Sequence, residues 1–189
     1  KFSNGTGVTL SGTTVVITTK DLPDHKSPYW GVGNALYEAP QSGMVPNPSS
    51  IASQNITLRI PVSPAKATAS STPLGPIGVA TNGVPFYNQY AAGFQVLGSE
   101  IISFDRYNGH PNGQNQYHYH FEPLALTSAG RSKLIGVLLD GLLEAAATSV
   151  GHPRWLIAPP LFQTGNDPAI GIIFRTSTEL SSPSRLSAR

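Results

Sequence analysis

The sequence predicts a mainly β protein, a single domain of many short antiparallel strands, sandwich- or barrel-like, with long Pro/Gly-rich loops. Three observations lead there. Short stretches alternate apolar and polar residues with a period of two, as in Ile56–Val62, which is the pattern of a half-buried strand. Gly and Pro, 19 and 17 of 189 residues, interrupt the chain too often for long helices. Only Leu142–Ala147, with Glu144 and three alanines, has a helical composition.

Taken in order, Val8–Thr19 is rich in Val, Ile and Thr and turns at Gly12, so it reads as a hairpin or two short strands. Leu22–Pro48 carries Pro23, Pro28, Pro40, Pro46 and Pro48 and reads as irregular. Ile56, Leu58 and Ile60 share one face of the next strand, which Pro61 and Pro64 close. Ser63–Ser71 is a small-residue linker. Leu74–Pro85 reads as two strands joined at Asn82-Gly83, a pair suited to a type I′ turn. Ile101–Tyr107 and Tyr117–Leu126 are expected as strands flanking a Gly/Pro/Asn-rich loop. Leu134–Leu139 fits a buried strand, and Ile170–Phe174 a last one. Leu180–Arg189 reads as a frayed tail.

Composition narrows the function classes. Twelve basic residues face ten acidic ones, for a formal charge of +2, and the only local basic cluster is Arg131–Lys133. A nucleic-acid partner needs a stronger basic stripe. Charged residues make up 12% of the chain, about half the usual share, and this neutral, hydroxyl-rich surface is common among extracellular β proteins. The chain has no cysteine, so disulfides and thiolate metal sites are excluded. No run approaches the roughly 18 apolar residues of a membrane span. The start at Lys1 fits a removed leader or a simple chain boundary, and Asn4-Gly5-Thr6 and Asn55-Ile56-Thr57 match the glycosylation sequon.

The chemistry concentrates in Tyr117-His118-Tyr119-His120-Phe121-Glu122. Successive side chains on a strand point to opposite faces. Tyr117, Tyr119 and Phe121 are therefore expected on a core face, and His118, His120 and Glu122 on the other. His110 precedes the loop Pro111–Gln116, which as a hairpin would bring it beside His118. His110, His118 and His120 then form a three-imidazole metal site, with Glu122 or Asp105 as a fourth ligand. Imidazole and carboxylate donors suit zinc, copper(II), nickel or iron(II). The same two strand histidines also fit residues that only hydrogen-bond to loop backbone. No G-x-S-x-G elbow and no phosphate-binding glycine loop occurs. Glu100, Asp105, Glu122 and Asp140 offer carboxylates, but no spacing selects a glycosidase pair. Tyr29, Trp30 and Tyr37 could stack on sugars, although aromatics in Pro-rich loops more often pack over a sheet end.

The run from Asn108 to Pro123, with Gly109-His110-Pro111 ahead of Tyr117-His118-Tyr119-His120, resembles the defining motif of the YHYH protein family. Leu22–Tyr29, Asn55–Pro61, Thr72–Tyr90 and Leu134–Gly141 resemble that family in the same order, over roughly residues 8–141. The resemblance implies a secreted, periplasmic or cell-surface protein and adds His25 and Asp140 as candidates for the same site. After Gly141 the chain departs from the family, which continues with an aromatic/Pro/Gly segment and a second His-rich strand. Here only His152 remains in that part. Residues 1–141 are thus expected to form the YHYH-type β domain. Residues 142–189 are expected as a divergent segment packed on it with a frayed tail, either because the second motif has decayed or because the segment comes from a shifted reading frame or another exon.

The leading expectation is a metal-binding protein that holds copper or zinc, with the ion as its only specified partner. Next comes a metal-dependent hydrolase or oxidoreductase using the same histidines. Third is a structural or adhesive surface domain without metal.

Overall fold

The computed structural model describes residues 2–64, 71–127, 134–140 and 143–145. A turn at Gly12 joins β1 (Gly7–Ser11) to β2 (Thr14–Thr19), and β3 (Ile56–Pro61) completes a three-stranded antiparallel sheet in the order β1-β2-β3. Along β3, Leu58 and Ile60 are buried while Thr57 and Arg59 face outward, as the two-residue period requires.

The second sheet is built from β4 (Pro76–Ala80), β5 (Pro85–Tyr87), β6 (Gly109–Pro111), β7 (Tyr117–Tyr119), β8 (Leu134–Leu138) and β9 (Leu143–Ala145), in the spatial order β6-β7-β5-β4-β8-β9. Its neighbours are antiparallel except β5 and β7, which run parallel and meet at Phe86 and Tyr119. Among the described residues the sheet stays open, so of the two expected architectures the sandwich holds and the closed barrel does not.

The layers meet where Ile17, Leu58 and Ile60 pack on Val79 of β4, with Val137 and Leu139 alongside. The opposite face of the large sheet buries Ile77, Phe86, Tyr117, Tyr119, Ile135 and Leu138 together with Tyr29 from the irregular N-terminal loop. Strand β4 is therefore buried on both faces, which explains why Ile77–Ala80 shows no alternation.

Several expectations are corrected. Ile101–Tyr107 is not a strand. Ile101–Ser103 is a 3-10 turn with both isoleucines exposed, and the Asp105 carboxylate then accepts the amides of Tyr107 and Gly109, bending the chain. The strand expected over Tyr117–Leu126 ends at Tyr119, and Leu124–Thr127 forms a one-turn helix, α1. Phe121 therefore leaves the tyrosine face and packs with Phe104, Leu97 and Ala91. Within the stretch read as helical, Leu143–Ala145 pairs antiparallel with β8; backbone bonds to an available sheet edge outweigh a weak helical propensity. The turn after β4 is not type I′. The Gly83 amide bonds the Ala80 carbonyl, and of the turn residues only Gly83 has positive φ (87°). This is the three-residue form that ends in a left-handed glycine. Ile170–Phe174, Leu180–Arg189, His152 and most of 142–189 lie outside the described residues.

Candidate metal centre

Asparagines shape the loop that brings β6 and β7 together. Asn112 Oδ1 accepts the amides of Gln114 and Gln116, and Asn115 adopts φ 62°, a conformation this residue tolerates well. The register that results sets His110 directly opposite His118 and Gly109 opposite Tyr119. Gly109 is required there, because a Cβ would stand 2.4 Å from the Tyr117 ring. His120 follows at a bend just past β7.

All three imidazoles are buried, and one nitrogen from each lies within 4.8 Å of the others, an arrangement that could hold a metal ion. Their outer nitrogens are engaged by the protein. His118 Nδ1 donates to the Gln116 carbonyl at 3.2 Å, and His120 Nδ1 donates to the Asn88 carbonyl at 2.5 Å. His110 Nδ1 lies 2.7 Å from Ser103 Oγ, whose own hydrogen goes to the Glu100 carbonyl, so the histidine donates here too. Asn47 Nδ2, at 3.4 Å from the same Nδ1, donates to the Pro111 carbonyl instead.

Each ring is thereby fixed with its lone pair on Nε2. His118 Nε2 and His120 Nε2 face one another at 3.0 Å, and His110 Nε2 is buried without any hydrogen-bond partner. Two opposed lone pairs and an orphaned third are an arrangement that could hold a cation. Protonation is a poor solution. Burial pushes His110 down to about 3, with the charge of His120 adding to it, pushes His120 down to about 4, and holds His118 well below the usual imidazole range. Neutral imidazoles whose other N–H groups are held by carbonyls or hydroxyls are the form that binds metal. Tetrahedral coordination at about 2.0–2.1 Å needs nitrogens roughly 3.3 Å apart, close to the 3.0 Å between His118 Nε2 and His120 Nε2.

Aromatic rings wall the group. Tyr87 stacks on His118 with centroids 3.9 Å apart, and Phe104 stacks on His120 at 5.5 Å and meets His110 edge-on at 4.7 Å. Glu100 Oε2 lies 3.9 Å from His110 Nε2, and burial raises the Glu100 carboxyl above the ordinary value.

The other sequence candidates lie elsewhere. His25 sits on the tyrosine side of β7, its Nδ1 on the Lys26 carbonyl and its Nε2 on the Tyr119 hydroxyl at 2.8 Å. Asp105 is buried and accepts the Tyr117 hydroxyl at 2.6 Å. Glu122 is half-buried past the bend that ends the strand alternation, and its backbone carbonyl accepts from Asn108. Asp140 is exposed in the turn after β8. The structure brings none of these four into the histidine group.

In the sequence Glu100 stands only as one of several carboxylates that no spacing selects. Ser103, Asn88 and the Gln116 carbonyl were invisible as orienting groups, since backbone acceptors leave no residue-type signal.

A family model described as YHYH protein matches residues 57–152, just over half of the 189-residue chain. The match starts within β3 rather than near residue 8 and continues past Gly141. No curated protein and no solved structure matches the chain.

Proposed function

The chain belongs to the YHYH protein family, whose function is undefined, and we propose that it binds one divalent transition-metal ion, zinc or copper, through His110, His118 and His120. The observation that carries this reading is the shared tautomer: three buried imidazoles, each donating through Nδ1, direct their Nε2 lone pairs at one another. Glu100, its Oε2 3.9 Å from His110 Nε2, stands beside this set as a nearby carboxylate, and the three imidazoles leave a coordination position open. Nitrogen donors with one carboxylate and no thiolate suit zinc, and suit copper(II) as well. The low charge and the family resemblance support an exported location in the medium, periplasm or cell surface; fractionation of producing cells tests that.

The binding test is elemental analysis of protein purified without an affinity tag, beside a His118→Ala/His120→Ala variant. Near-stoichiometric zinc or copper is expected in the parent and none in the variant. An ion-free parent after incubation with each metal and washing would overturn the reading and leave a structural domain with hydrogen-bonded histidines.

A metal-dependent hydrolase or oxidoreductase is the second reading, favoured by one observation: the three histidines and Glu100 line a common cleft. No helix among the described residues is long and apolar enough to cross a membrane.

A further inference from the structure

The cleft measures about 810 Å³, inside the roughly 300–1,000 Å³ range of small-molecule sites. Its depth is polar and its mouth apolar. His110, His118 and His120 are 4%, 3% and 2% exposed, whereas the lining residues Val45, Ile102 and Leu74 are 60%, 51% and 39% exposed. Val45 and Ile102 are tied together by a backbone bond from the Val45 amide to the Ile102 carbonyl at 2.8 Å, so two separate loops present one apolar wall. Ala91, Ala92 and Gly93 also line the cleft, and the next residue, Phe94, is exposed and held at φ 60°, a strained conformation for an aromatic residue. A cluster of exposed apolar side chains around a cleft marks a surface that meets a ligand.

Charge limits what that ligand is. Among the described residues lining the cleft there is no Lys or Arg. A phosphate or polycarboxylate therefore finds no cation there beyond the bound ion. One carboxylate, Glu100, stands beside the histidines. A divalent ion set against it leaves a single positive charge, which one anionic oxygen head neutralises.

We propose that this cleft takes a small molecule with an apolar body and a single oxygen-donor head, neutral or monoanionic. The head reaches the ion held by His110, His118 and His120, and the body lies against Val45, Ile102 and Leu74. The inference rests on the metal reading above and adds to it the class of ligand.

The test uses the full chain loaded with one equivalent of zinc, verified by elemental analysis, and titrated calorimetrically with acetohydroxamate and octanohydroxamate. The two probes share a metal-binding head and differ in apolar body. Octanohydroxamate is expected to bind at least tenfold tighter, since a tenfold gain needs only about two of the added methylenes buried. Ile102→Ser, also checked for zinc, is expected to narrow that gap by weakening the longer probe alone. Equal affinity for both probes on zinc-loaded protein would overturn this inference and leave the metal reading intact. Protein that takes up neither zinc nor copper(II) overturns both, and protein that takes up only copper(II) is titrated with the same two probes in that form.

Discussion

The two faces of β7 differ in how their polar atoms are satisfied. On the tyrosine face every hydroxyl has its partner: Tyr117 donates to Asp105, and Tyr119 donates to His25 while accepting from Asn82 at 3.1 Å. Both rings are fully buried, so this face is structural, an aromatic layer latched by hydrogen bonds to three loops. On the histidine face the outer nitrogens are satisfied, whereas His110 Nε2 has no partner and His118 Nε2 and His120 Nε2 have only one another. A native interior leaves few buried polar groups without partners, and a cluster of them aimed at one point marks a place for a ligand. The run Tyr117–His120 thus builds core with its odd-numbered residues and supplies two of the three site histidines with its even-numbered ones.

The largest way to break this contrast is Tyr119→Ala. It deletes a fully buried ring and strands His25 and Asn82, and is expected to destabilise by about 3–5 kcal/mol, read by denaturant unfolding of metal-free protein. A cost below about 1 kcal/mol would show that the tyrosine face is not the structural one.

Tyr117→Phe is subtler. It keeps the ring and leaves the buried Asp105 oxygen without its donor, at an expected cost of about 1.5–3 kcal/mol, with metal stoichiometry unchanged. Loss of the ion in this variant would mean that the two faces do not act separately.

Asp21 sharpens the rule that orphaned groups mark sites, because it is an orphan outside the cleft. It is fully buried, and neither carboxylate oxygen has a hydrogen-bond partner, although the Tyr117 amide lies close enough to lower its pKa slightly. Burial nonetheless raises it to about 9. The folded state therefore keeps a proton that the unfolded chain releases above the ordinary carboxyl value of 3.8. The stability this contributes is complete below that value and is lost as pH rises toward 9, at up to about 1.4 kcal/mol per pH unit. Asp21→Asn, which tolerates the same φ of 55°, is expected to flatten that slope and raise the melting temperature at pH 8. An unchanged slope would show that Asp21 is ionised in the fold.

Much of the fold was legible where local patterns and tertiary roles agree. The β1–β2 hairpin and β3 follow from period two and turn residues. The pattern failed where a few hydrogen bonds decided the backbone. Ile101 and Ile102 look like strand residues, yet the Asp105 carboxylate turns the chain just after them. Leu143–Ala145 has helical composition but lies beside the edge of β8. Composition carries no record of which sheet edge stands near.

For the site, the sequence by itself determined that His118 and His120 share a face and that His110 returns beside them. Strand alternation and a short asparagine-rich loop are local properties. Only the tertiary structure decided the rest. Asn88 and Ser103, from separate loops, fix the tautomers of His120 and His110. Glu100 rather than Glu122 stands next to His110, because the chain bends at His120 and ends the alternation that would have carried Glu122 inward. His25 lies on the opposite face because the Tyr119 hydroxyl is its partner. These contacts join residues far apart in the chain, and their geometry exists only once the sheets have packed.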